Sequence, residues 1–265
     1  MKKAPIASFA VLAFIVLLSF LGSFIYPLSP YDMNSKELLQ APGFSHILGT
    51  DRLGRDILAR IIEGGKVSLF IGFCSAAIAS FTGLVIGISA GFFAKNTDKI
   101  IVVIIDLFLT FPTFFLLLAL ISYINASALT LIIVISVTGW MSMARLIRSE
   151  SFAINSQPFI KVLKLADVSK PKIIFKYFAP LLAPIFFISF TFSLSGAILA
   201  ESGLSFLGIG VMPPDISWGS IISEGKEVID IAWWVSFFPG LMIFLVTFSL
   251  INISDYLQFL TNQRY

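Results

Sequence analysis

Charge is scarce in this chain: Asp, Glu, Lys and Arg supply 12% of its 265 residues, about half the share usual in a soluble domain. There is one cysteine and one histidine. Cys74 lies inside an apolar run, which excludes an intrachain disulfide or a cysteine cluster and reads as apolar filler. His46 has no Cys or His neighbour to share a transition metal with. No G-x-x-x-x-G-K-[ST] occurs, and G-G-K-V-S at Gly64 to Ser68 lacks the earlier glycine and the hydroxyl after lysine, so P-loop ATP hydrolysis is excluded. With no nucleophile motif or metal-ligand constellation either, the chain reads as no enzyme. The net charge of +3 is too small to suggest a nucleic-acid partner.

Apolar residues dominate: 57% of the chain is hydrophobic and the mean hydropathy is +0.96. Apolar runs cover Ile6 to about Tyr26, Val67 to Phe93, Ile100 to Ile124, Ala128 to Ile147, Pro180 to Leu204 and Trp233 to Ile253, each near the ~20 residues needed to cross a bilayer. The expected fold is an all-α integral membrane protein of six transmembrane helices. The first run follows Lys2 and Lys3 and lacks a small-residue cleavage site, so it reads as an anchor rather than a signal peptide. Expected boundaries are one membrane domain over 1–265. An anchor helix and outer loop fill 1–66, and a five-helix core follows at 67–265.

Placing both termini in the cytoplasm puts twelve of the eighteen basic residues inside: Lys2, Lys3, Lys95, Lys99, Arg145, Arg148, five lysines between 159 and 180, and Arg264. The other six share the outer loops with nine acids, as the positive-inside bias requires. In the outer segment, Thr50 or Asp51 is the expected N-cap of an interfacial helix carrying Leu53, Ile57, Leu58, Ile61 and Ile62, which Gly64-Gly65 should break. Gly83, Gly87 and Gly91 form two consecutive GxxxG steps, a helix-packing face.

The cytoplasmic segment 148–179 should form two short helices. Phe159, Val162, Leu163 and Ala166 fall at i, i+3, i+4, i+7, while Lys161 and Lys164 point elsewhere. Asn155 or Ser156 is the expected cap of the first helix, and Ser169, with Pro171 in the first turn, opens the second. Such lysines can rest on anionic headgroups, and the apolar stripe can enter a groove on a soluble partner. Asp106 and Glu201 lie in apolar runs, where an ionised carboxylate must face protein or water. They read either as relay groups or as packing hydrogen bonds. Pro112, Gly203, Gly208 and Gly210 are expected points of bending or loosening. Trp218 reads as an interface anchor or part of an outer gate.

H-I-L-G-T-D-R-L-G-R-D at His46 to Asp56, D-L-F-L-T-F-P at Asp106 to Pro112, A-E-S-G-L-S-F-L-G-I-G-V-M-P-P at Ala200 to Pro214 and S-W-G at Ser217 to Gly219 resemble the C-type permease subunit of bacterial ABC importers of the dipeptide, oligopeptide and nickel group. The resemblance covers nearly the whole chain. It implies a multi-pass inner-membrane subunit paired with a second homologous permease, two ATPases that carry ATP-Mg, and an extracytoplasmic binding protein, all within membrane lipid. It implies no cofactor or metal on this chain. It also makes Phe159 to Pro180 the ATPase-docking EAA loop, with Lys161, Val162 and Leu163 where the family has Glu-Ala-Ala and Asp167 where it has glycine. Peptide is the expected cargo, with nickel as the alternative. An ion-coupled carrier acting alone, with Asp106 and Glu201 titrating, is the reading from another class.

Overall fold

The computed structural model describes residues 4–124 and 127–262, so Lys2, Lys3 and Arg264 of the charge pattern lie outside the described residues. Among these, five helices are long and apolar enough to cross a membrane, or six if one bent pair counts as a span. They are α1 (Ile6–Ile25), α2 (Ile57–Phe93), α5 (Ala128–Asn155), α8 (Ala179–Phe206, continuous with the preceding helix) and α10 (Trp234–Asn262). The bent pair is α3 (Lys95–Leu109) and α4 (Thr113–Ile121), whose axes turn by 81° at Pro112. Proline cannot donate its N–H and disfavours helix in the residue before it, so the third apolar run is broken, as the sequence implies.

Three short helices complete the chain: α6 (Pro158–Leu165), α7 (Lys170–Ile173) and α9 (Trp218–Gly225). A π turn at Ile174–Phe178 joins α7 to α8, so Lys170–Phe206 is one continuous helical rod. The widened turn lies just before Pro180, where a regular helix would clash with the proline ring.

Small residues set how closely the helices approach. A Cβ on Gly83, Gly87 or Gly91 would stand 2.6, 2.7 and 2.3 Å from the Cβ atoms of Met143, Ile147 and Ser151 on α5. The two GxxxG steps therefore seat α5 against α2 with a four-residue register on both sides. On α1, Ser8, Ile15, Ser19 and Gly22 form the buried face. Gly22 packs on Ile62 of α2, and Asn252 of α10 donates to Ser8 Oγ at 3.3 Å. Phe14, Phe70, Phe81 and many other large apolar side chains stay exposed, the expected condition of a lipid- or subunit-facing surface.

The outer segment departs from the sequence expectation. Neither Thr50 nor Asp51 caps a helix; Asp56 does, its carboxylate accepting from Ala59 N at 2.8 Å. Gly64 and Gly65 do not break α2. Both are buried in it, and a Cβ on Gly65 would lie 2.2 Å from Ser19 Oγ and 2.9 Å from the Trp218 ring. Their lack of a side chain admits α1 and α9, which outweighs the modest cost of glycine within a helix. Residues 34–56 instead form a compact knot, closed by an isolated antiparallel bridge between Thr50 and Asp56.

Candidate coupling segment and membrane pathway

α6 and α7 lie in the chain between the end of α5 and the start of α8, at one end of the bundle. Neither Asn155 nor Ser156 caps α6; Gln157 occupies that position without a side-chain bond, and Pro158 opens the helix. Asn155 instead donates to the carbonyls of Gly91 and Phe92 at 3.0 and 3.4 Å, closing the C-terminus of α2. The turn after α6 is a Schellman motif: Val168 N donates to Leu163 O at 3.1 Å and Asp167 N to Lys164 O at 3.3 Å. Asp167 adopts a left-handed φ of 53°, a conformation that costs aspartate less than most residues. Ser169 stands at the N-cap of α7 with Pro171 in its first turn.

The apolar stripe of α6 divides. Ile160 is fully buried and packs with Ile173, Phe178 and Leu182, while Leu163 is only partly buried against the same cluster. Phe159, Val162 and Leu165 are 42, 62 and 87% exposed, and Ala166 is exposed as well. The lysines divide too. Lys164 donates to Asn155 Oδ1 at 2.5 Å and lies over the Phe92 ring, 4.8 Å from its centroid. Burial there lowers its pKa. Lys170 covers Phe93 at 5.6 Å. Lys161 and Lys172 are exposed and make no contact of this kind. Two lysines fasten the segment to α2 and others are displayed.

Within the membrane portion, Glu201 is fully buried and is a hydrogen-bond hub. Ser68 and Ser205 each donate to it at 2.8 Å and Ser202 at 3.3 Å. Ser68 Oγ in turn accepts from Trp218 N, and Ser205 Oγ from Val211 N. The carboxylate thereby ties α2, α8, α9 and the intervening loop together, the packing alternative of the sequence reading. Trp218 is no interface anchor: it is fully buried, and its Nε1 donates to Ile61 O at 2.9 Å. Nor do the glycines loosen this end. Gly203 lies within α8, Gly208 (φ 79°) ends it in a second Schellman turn, and a Cβ on Gly210 would meet Ser205 backbone at 2.4 Å. Asp106 is exposed and pairs with Arg145 of α5 at 2.5 Å, while Asp98 pairs with Arg148. Both pairs tether α3 to α5.

A cavity of about 330 Å³ opens between α2, α4, α5 and α8. Its wall includes Ser75, Thr113, Thr138, Ser142, Ser193 and Gly196, with no charged side chain and no Cys or His. It gives no signal in the sequence, since scattered small residues mark no period.

The outer knot was also missed. His46 is buried, with Nδ1 2.8 Å from Asp56 and Nε2 3.3 Å from Glu37. Desolvation opposes its charging, but the hydrogen bonds and charges of Asp56 and Glu37 prevail and raise its pKa above 6.5. Burial, then the Asp56 charge and hydrogen bond, push the Tyr26 phenol up to about 12. Asp51 accepts from Arg55 at 2.6 Å and from Arg60 at 2.5 Å, and both arginines reach Glu224 of α9. Arg52 pairs with Glu227. The acid–base mixture of H-I-L-G-T-D-R-L-G-R-D was a signal for pairing; besides the pairs within it, its arginines reach Glu224 and Glu227, about 170 residues further on.

Residues 83–265 match the family described as binding-protein-dependent transport system inner membrane component, and the chain belongs to that family. It is 34% identical over 251 residues to the oligopeptide transport system permease protein OppC of Mycobacterium tuberculosis, covering 92% of this chain and 85% of the relative. It is 31% identical over 258 residues to the dipeptide transport system permease protein DppC of Bacillus subtilis, covering 97% and 81%. A putative peptide transport system permease protein of Brucella suis is 32% identical over 255 residues, with 96% and 86% covered. The fold is similar to a chain of the MetNI methionine ABC transporter in an inward-facing conformation, with a TM-score of 0.59 at 16% identity, covering 75% of this chain and 96% of that one. The protein is therefore a multi-pass inner-membrane permease component.

Proposed function

We propose that the chain is one half of the transmembrane pathway of an ATP-driven peptide importer. It pairs with a second homologous permease, is moved between inward-open and outward-open states by two ATPases that bind ATP-Mg, and receives cargo from an extracytoplasmic binding protein. Both termini face the cytoplasm, consistent with the basic residues at the inner ends. The observation that carries this reading is the exposed face of α6: Phe159, Val162 and Leu165 stand in water at the tip of two long helices while Ile160 anchors the helix from behind. An apolar ridge flanked by lysines and braced on membrane rods suits helix-in-groove docking and transmission of motion. The relatives, named as peptide permeases, favour peptide over nickel. An ion-coupled carrier has less support, because Asp106 is ion-paired and Glu201 is enclosed by serines.

Leu163 is partly buried against the inner cluster, so Val162, exposed and without such packing, gives the cleaner test. In reconstituted importer, Val162→Asp should abolish ATP-driven peptide uptake and binding-protein-stimulated hydrolysis while the chain still inserts and pairs with the second permease. Unchanged uptake would remove α6 from the ATPase interface.

A further inference from the structure

The cavity between α2, α4, α5 and α8 lies near the midpoints of three of those helices, at Ser75 to Ala79, Ile135 to Ser142 and Phe192 to Ala200. Its volume of about 330 Å³ is at the small end of the ~300–1,000 Å³ range of ligand pockets. The hydroxyls of Thr113, Ser142 and Ser193 on its wall make no hydrogen bond, although a helical serine or threonine can readily bond back to its own preceding turn. Thr138 on the same wall does bond back, to Val134 O at 3.0 Å. Thr113, Ser142, Phe192 and Gly196 are exposed and form the open side. Left unpaired as they stand, these hydroxyls are open to water or to a polar ligand. From Ser142, exposed Arg145 and Ser149 continue at i+3 and i+7 toward the inner end of α5. Ser142, Arg145 and Ser149 thus share one exposed face of α5.

Resting on the importer reading, we propose that this cavity is a cargo subsite. Its free hydroxyls hydrogen-bond the peptide main chain, and the space over Gly196 receives a cargo side chain. A hydroxyl both donates and accepts, so it can engage an amide N–H or C=O whatever the peptide sequence. The uncharged wall holds neither acidic nor basic cargo tightly, as passage requires binding weak enough to release. Gly196 borders the open space: a Cβ placed there would meet nothing within 4 Å, so a side chain can start there without displacing a neighbour.

The test uses the complete importer in proteoliposomes and two tripeptides, tri-alanine and an alanine peptide with a central tryptophan. Gly196→Leu should lower uptake of the tryptophan peptide about tenfold relative to uptake of tri-alanine by the same variant. Gly196→Ala should fall between wild type and Gly196→Leu. The double variant Ser142→Ala and Ser193→Ala should slow both peptides by a similar factor. An unchanged ratio in Gly196→Leu, or equal loss of hydrolysis and of both uptakes, would overturn the subsite while leaving the importer intact. A wild-type complex that imports neither peptide with ATP would reject the peptide-importer reading, and the subsite with it.

Discussion

The two ends of the molecule solve opposite problems with charge. At the outer end, Asp51, Arg60, Asp56 and His46 are buried and paired, and the knot they build is fixed onto α9 through Glu224. At the inner end, Lys161 and Lys172 stand unpaired in solvent beside exposed Val162 and Leu165, and the segment is held mainly by Ile160, Ile173 and Phe178. Buried pairs specify one arrangement, because losing one partner strands a charge. Exposed charge and apolar surface leave an end able to meet something else. The end around Asp51 and Arg60 is closed by pairs within this chain, whereas the α6–α7 end leaves apolar and basic side chains exposed.

The largest effect should come from breaking the outer network. Arg60→Ala leaves Asp51 short of a partner in a buried site, and a loss of about 3–5 kcal/mol of stability is expected, read as a lowered unfolding midpoint in detergent. A change comparable to that of an ordinary surface substitution would mean that the network is solvated. A smaller and pH-dependent effect follows from His46. Its pKa is higher folded than unfolded, so its contribution is complete below about 6.5 and is lost as pH rises through the raised folded value. Amide exchange over residues 34–56 should therefore accelerate across that rise, and His46→Gln should flatten the dependence. Exchange that accelerates equally in the variant would assign the dependence elsewhere. The smallest effect belongs to the inner end: Lys161→Gln should change stability by no more than about 0.5 kcal/mol while altering stimulated ATP hydrolysis in the full complex. A large stability loss there would erase the contrast between the ends.

The spans and the α6–α7 helix pair were legible because they are written in local periodicity: apolar runs of span length and a Ser169–Pro171 helix start. The errors share one physical cause. Gly64-Gly65 looks like a break until Ser19 and Trp218 are seen against it, and Trp218 looks like an interface residue until Ile61 and Ser68 are seen binding it. Partners that lie 46 to 157 residues away carry no local pattern. The stripe of α6 was half read for a related reason: Phe159, Val162 and Ala166 do share a face, but Ile160, one residue from Phe159, is the one the membrane helices bury.

Because Gly64-Gly65 does not interrupt it, α2 is a single 37-residue rod, about 55 Å long at 1.5 Å per residue. One end is clamped in the ion-paired knot and the other is joined through Asn155, Phe92 and Lys164 to the coupling segment. A rod of that length magnifies small rotations: tilting by about 5° about its outer end displaces its inner tip by roughly 5 Å. Were the far tip pushed, the knot would be the fulcrum, and its rigidity would set how far the push travels along α2.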